Sequence, residues 1–403
     1  MDRPPLSERD RRALVAVAAQ FFVNGAMTAS FIARAPQIRD RIGVTVDTFG
    51  LLLTIAGIAG VVGSLLAGRI IDARSTRRVL QVGAGVMVVS LLVIGGATAP
   101  GMYLVGMLAY AFLDVLVDIS MNLQGSWISA RRATPVMNRL HGLWSLGTFA
   151  GGLGAVLANA AGLSPFTHLA IVAIVMACSL AVVTHYLLPS DEDGHADAEP
   201  SVPPPKRRRE RLAPVVLLVL AGMLAVVIEV TPGDWATFRI SDDFGASAAL
   251  ASVAFVAYTI GMTVMRFGGD ALQLRLGRMG LHRLSVTVAA VGLMIASLVP
   301  NEAMSIFGFL LTGLGVATFM PKLYDDAARL PGRRGAGLGA MTGGMRVAFL
   351  ISPATVGALA GTSLSVGDAI AIFTLPAAFG FIVVTEWNDR LLRRSRAVAH
   401  AGT

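Results

Sequence analysis

Runs of apolar residues about twenty long recur from one end of this chain to the other, and no other feature narrows its possible folds so far. They can be read at 12–34, 47–71, 79–99, 101–125, 136–160, 166–188, 213–237, 247–268, 282–300, 303–322, 336–360 and 364–386. A helix needs roughly 20 mostly apolar residues to cross the hydrocarbon core of a bilayer, so the pattern predicts an all-α integral membrane protein with twelve transmembrane helices. Composition agrees, since 55% of the 403 residues are hydrophobic and only 14% charged, which leaves more apolar surface than a water-soluble domain can hide. The first run is too long for the core of a signal peptide and no small-residue cleavage site follows it, so it is expected to remain as the first span.

Charge orients the spans. Of the 33 Lys and Arg, Arg34, Arg39, Arg41 and Arg239 fall on one side and Arg266 and Arg346 within spans; all the others collect on the side that holds both termini. Cytoplasmic loops are rich in Lys and Arg, so both termini are expected to be cytoplasmic. The net charge of +8 therefore reads as topology, and a nucleic-acid partner is not expected. Residues 190–212 run from acidic (Asp191, Glu192, Asp193) through Pro203–Pro205 to Lys206–Arg209, which reads as a cytoplasmic linker between two six-helix bundles, 1–189 and 213–403. Beside a membrane such a basic stretch can also meet anionic lipid. Trp127, Trp235 and Trp387 lie near predicted span ends, where indole rings favour the interface. A lone Cys178 rules out an intramolecular disulfide.

The strongest local motif follows the second span: Gly68, Asp72, then Arg74, Arg77 and Arg78. Gly68 would permit close packing, and Asp72 can face helix N-termini or arginines across the interface between halves, latching one state. About two hundred residues later, after the eighth span, Arg266-Phe267-Gly268-Gly269-Asp270 followed by Arg275 and Arg278 forms a degenerate copy. The recurrence predicts two parallel six-helix pseudo-repeats. The first loop resembles the signature of the major facilitator superfamily, with Ser75 where that signature has a second glycine. Several segments further resemble its fucose-permease-like and MosC-like branch: Ala33-Arg34-Ala35-Pro36, Asp118 to Gly125, His141-Gly142-Leu143-Trp144-Ser145-Leu146-Gly147, Glu229 with Asp234-Trp235, and Gly313-Leu314-Gly315 with Pro321. The resemblance implies the major facilitator fold, a bacterial inner-membrane location, a monomer without cofactors, and a sugar or sugar-like solute.

Ionisable residues inside a span are costly and mark candidate functional sites. In the fourth span Tyr110, Asp114, Asp118 and Asn122 recur every four residues and share one face. Two carboxylates one turn apart in a low-dielectric setting resist joint ionisation, so either can bind a proton reversibly; the alternative is a structural pair bonded to neighbouring helices. Gln20, Asn24 and Thr28 form a similar stripe in the first span, open to two readings: contact with a hydroxylated substrate, or polar glue between helices. His141 is either a proton relay or a structural histidine. In the seventh span Pro232-Gly233 is expected to break the helix beside an outer gate, with Glu229 as a second coupling or substrate residue and Asp234 near the interface. Arg346, in the eleventh span, must find a partner, either Asp114, Asp118, Glu229 or an anionic substrate.

Other classes fit poorly. The chain has no phosphate-binding G-x-x-x-x-G-K-[ST] loop, since its two lysines, Lys206 and Lys322, both follow proline, and none of its 6 histidines has another four residues on. An ATP-driven pump and an enzyme are therefore disfavoured. The expectation is a secondary transporter working by alternating access, coupled to protons, moving a small polar solute that is anionic if Arg346 takes it. Drug or metabolite efflux by proton antiport, or a transporter-like sensor, are the alternatives.

Overall fold

The computed structural model describes residues 7–131, 136–189, 212–328 and 336–401. The chain is helical nearly throughout: α1 Glu8–Ile32, a short α2 Ala35–Ile42, α3 Val46–Arg74, α4 Thr76–Gly96, α5 Pro100–Ala130, α6 Met137–Ala160 and α7 Pro165–Val183 make one half. The other half holds α8 Leu212–Phe238, α9 Ala248–Leu298, α10 Glu302–Val316, α11 Phe319–Ala328, α12 Ala336–Ala360 and α13 Val366–Ala401. The predicted linker lies outside the described residues except for its last, Leu212. Helix starts are written locally. Proline opens α5 and α7, and the side chains of Ser7, Ser164, Ser247 and Asn301 each accept a backbone N–H in the first turn of α1, α7, α9 and α10.

Among the described residues eleven helices are long and apolar enough to cross a membrane. The count reaches twelve because α9, at 51 residues, would be about 75 Å long if straight, more than twice the hydrocarbon thickness. It is two spans joined at Gly277, whose φ of 69° and ψ of 168° break the helix. The same turn occurs in the first half, where Ser75 joins α3 to α4 with φ 71° and ψ 151°. Two chain reversals of one conformation, at matching places in two six-helix halves, give the fold its internal repeat. Exposed apolar side chains within the spans, such as Leu65, Ile174 and Phe379, stand out from the bundle where lipid would meet them.

The halves meet along two seams, α3 with α12 and α6 with α9. On α3 small residues face both ways. A Cβ on Gly50 would fall 2.4 Å from the Pro353 carbonyl oxygen of α12, and one on Gly63 would fall 2.7 Å from the Phe112 carbonyl oxygen of α5. Gly57, two turns beyond Gly50, leaves 3.8 Å to the Phe349 carbonyl oxygen, so α3 and α12 separate toward the end that carries the termini.

Two local expectations change. Helix α8 runs unbroken through Pro232 and Gly233 to Phe238 and ends in a wide π turn, Arg239–Asp243. A proline removes one backbone N–H, and the Tyr258 hydroxyl donates to the nearby Glu229 carbonyl, so protein supplies a partner where the helix is weakened. Trp235 is fully buried, packed on Phe238 with ring centroids 5.0 Å apart, and so lies between helices and away from the lipid interface.

Candidate functional site

Asp114 and Asp118 project from the middle of α5, and their surroundings differ. Asn24 of α1 donates 2.8 Å to Asp114 Oδ1 through its amide nitrogen, while its amide oxygen accepts 2.8 Å from the Trp144 indole of α6. One amide thus ties three helices to one carboxylate. A turn away, the Thr28 and Tyr110 hydroxyls bond to each other at 2.8 Å. Gln20 is buried and neither of its amide atoms has a partner among the described residues. The stripe on α1 and the tyrosine on α5 therefore spend their polar atoms within the first half or lie buried in it. Asp118 instead accepts only from Asn122, at 3.1 Å on its own helix, and its side chain is open to solvent deep in the bundle.

The second half reaches this cluster through Arg266 on the first arm of α9. Its guanidinium donates 2.5 Å to the Ser145 hydroxyl and 3.3 Å to Glu229 Oε1, and lies 5.7 Å from the centre of the Trp144 ring. A polar chain thus runs Glu229, Arg266, Ser145 and Trp144, Asn24, Asp114, crossing the α6–α9 seam. Glu229 keeps one buried oxygen, Oε2, without a partner among the described residues. His141, exposed at the start of α6, packs edge-on against Phe21 at 5.3 Å and lies within electrostatic reach of Arg266. In the sequence Arg266 was counted within a span but given a role only as the head of a loop motif. Its place inside the eighth apolar run is the signal that would have found it, whereas Trp144 and Ser145 gave none beyond their motif.

Arg346 on α12 is half-buried and forms no hydrogen bond or ion pair with any described residue. Asp118 of the opposite half lies within its electrostatic reach. The expected internal ion pair is therefore not closed. Tyr324, half-exposed on α11, stands within electrostatic reach of both Asp118 and Glu229.

At the end away from the termini the halves are clasped. Arg39 of α2 ion-pairs with Asp242 of the π turn, Asn159 donates 2.8 Å to Ser252, Ser252 donates 2.7 Å to the Ala33 carbonyl, and the Ala354 N–H donates 3.0 Å to Thr54. Burial acts to lower the Arg39 pKa, but hydrogen bonds and charge from Asp242 and Asp40 raise it above its ordinary value. Beneath the clasp Phe49 packs against Tyr103 and Phe238 at 5.3 and 5.5 Å, and half-buried Asp234 lies within electrostatic reach of Tyr103 and Tyr258.

At the terminal end Gly142 of α6 lies against the Phe267 ring of α9 across the seam. Asp72, Asp270 and Arg275 are exposed, with no hydrogen bond or ion pair to a described residue. Arg77 donates 2.9 Å to the His185 carbonyl within its own half, and the Arg78 N–H caps onto Ser75. Gly68, expected to pack closely, has nothing within 4 Å of an added Cβ.

A profile of the Major Facilitator Superfamily matches residues 16–353. The chain belongs to this superfamily. Its curated relatives include an uncharacterised transporter, y4wD, of Sinorhizobium fredii, 24% identical over 77% of this chain and 81% of that one. The membrane protein MosC of Rhizobium meliloti is likewise 24% identical, over 79% and 76% of the two chains. Among solved structures, the nucleoside transporter NupG matches 96% of this major facilitator chain and 99% of its own, at a TM-score of 0.69 and 12% identity. A bacterial homologue of the human lysosomal transporter Spinster, in an inward-facing and occupied conformation, matches 96% and 98% at 0.64 and 11%. At those identities the likeness concerns the fold alone. This major facilitator transporter is thus a multi-pass membrane protein whose partner is a small-molecule solute.

Proposed function

We propose that this transporter moves a small polar solute by alternating access, driven by a proton that binds at the Asp114–Asp118 pair. The observation that carries the reading is the pair itself: two carboxylates one turn apart, one tied to α1 and α6, the other open to a cleft and facing a cation of the opposite half. Carboxylates placed so in a low-dielectric bundle resist joint ionisation, and losing or gaining one proton changes the charge that the two halves present to each other. The clasp at Arg39–Asp242 and the widening between α3 and α12 from Gly50 to Gly57 support a state closed at one end and open at the other, inward-open if both termini are cytoplasmic. Glu229, with an unpartnered buried oxygen beside Arg266, is the second coupling candidate, and the exposed aspartates Asp72 and Asp270 would engage only when the terminal end closes.

The test needs a solute, which a thermal-shift screen of the purified protein against sugars, polyols, carboxylates and cationic drugs supplies, because a ligand stabilises the state it binds. Asp114→Asn and Asp118→Asn, singly and together, are expected to abolish uphill uptake into proteoliposomes driven by a pH gradient. Intact uphill uptake in the double variant sinks the proposal.

A further inference from the structure

Arg346 is a charge without a hydrogen-bonded partner in a helix that crosses a membrane, which is an expensive arrangement unless something completes it. Asp118 lies within its electrostatic reach on the opposite half, with no hydrogen bond or ion pair closed between them, and Asp118 is itself exposed and among the described residues accepts from Asn122 on its own helix. The other ionisable groups within electrostatic reach of Asp118 are Asp114 on α5 and Tyr324 on α11, while Arg266 of the second half is occupied by Glu229 and Ser145. The cleft therefore holds one uncommitted cation and one uncommitted anion, on opposite halves.

We propose that Asp118 and Arg346 form a charge-exchange pair that makes the transported solute a small monocarboxylate, bound together with one proton. While Asp118 is ionised it neutralises Arg346 and repels a second anion. When a proton adds to an Asp118 carboxylate oxygen, Arg346 is left as an uncompensated cation, and the solute's carboxylate takes the place of the aspartate with bidentate geometry open to it. One proton and one negative charge enter, so the charge of the site is unchanged and neither ligand binds well without the other. The inference rests on the proton-coupled reading given above and adds to it the chemistry of the solute.

The experiment is a thermal-shift and calorimetric titration of the intact protein with acetate, lactate, gluconate and glucuronate, against glucose and glycerol, at about pH 5.5 and about pH 8. At least one of the acids is expected to bind, with affinity falling by about tenfold per pH unit above the ionisation of Asp118 and with about one proton taken up per acid bound. Arg346→Gln should lower that affinity at least tenfold while glucose and glycerol stay without effect. Asp118→Asn should keep the affinity and remove its pH dependence, which a merely structural aspartate would not do. Binding of none of the acids, binding that survives Arg346→Gln, or stabilisation by the neutral compounds alone would overturn the inference. The two readings fail separately. A neutral solute driven uphill by protons leaves the coupling proposal standing, and acid binding by Arg346 with uphill transport intact in the doubly amidated variant leaves only the anion site.

Discussion

Ser75 and Gly277 hold one backbone conformation, φ/ψ of 71°/151° and 69°/168°, at the corresponding turns of the two halves. Only glycine occupies that region freely, so one half pays in strain for what the other has without cost.

Ser75→Gly is expected to stabilise the protein by about 1 kcal/mol, at the low end for release of such strain because the Ser75 hydroxyl also caps the Arg78 N–H at 3.4 Å. Gly277→Ala should destabilise by about 1–3 kcal/mol. Thermal melting in one detergent measures both, and a loss of stability in Ser75→Gly would show that the cap outweighs the strain.

Arg266 joins the halves through Ser145 and balances Glu229, with side chains only 20% and 12% exposed. Arg266→Gln leaves a buried carboxylate without its cation and should cost about 3–5 kcal/mol along with uptake. Adding Glu229→Gln to it should recover most of the melting temperature but not the transport. If the double variant melts as low as the single one, the ion pair is not what Arg266 contributes.

The Arg39–Asp242 clasp is partly exposed, so its removal should shift the balance of states by about 1 kcal/mol or roughly fivefold in population without unfolding the chain. In a Cys178→Ser background carrying Thr54→Cys at the α3–α12 seam, Arg39→Gln is expected to raise the rate of modification by a membrane-impermeant maleimide by about that factor. An unchanged rate would place the closing force elsewhere, in the aromatic contacts of Phe49.

Glycines divide by what lies against them. A Cβ on Gly344 would sit 1.9 Å from the Val219 carbonyl oxygen, and one on Gly313 2.0 Å from that of Tyr258, so Gly344→Ala and Gly313→Ala should each cost at least about 1–3 kcal/mol in melting experiments. Gly68→Ala meets nothing and should melt like the parent, yet impair uptake if the terminal end must close around it. Normal uptake in Gly68→Ala would remove that glycine from the cycle.

Much of this was legible in the sequence because lipid enforces long apolar runs, and the runs at 247–268 and 282–300 are the two arms of α9 even though the helix is nearly continuous. The spacing of Asp114 and Asp118 likewise placed them on one face. What the sequence did not disclose are contacts that depend on a second helix. Nothing in the first span says that Asn24 will be spent on Asp114 and Trp144, and the proline at 232 looks like a break until Tyr258 is seen beside the Glu229 carbonyl. Trp235 sits near a span end, as an interfacial tryptophan would, but it is buried against Phe238, which in turn meets Phe49 of the other half.

The divided small-residue face of α3 bears on speed. Gly50 and Gly57 turn to α12 while Gly60 and Gly63 turn to α5 of the same half, so around the two α12-facing glycines the partner half has few interlocking side chains to lift out. Sliding there resembles movement over a smooth bearing, and the activation enthalpy of turnover then falls mainly on the polar contacts that must part, those of Arg39 and Arg266, with little added by repacking of the apolar seam.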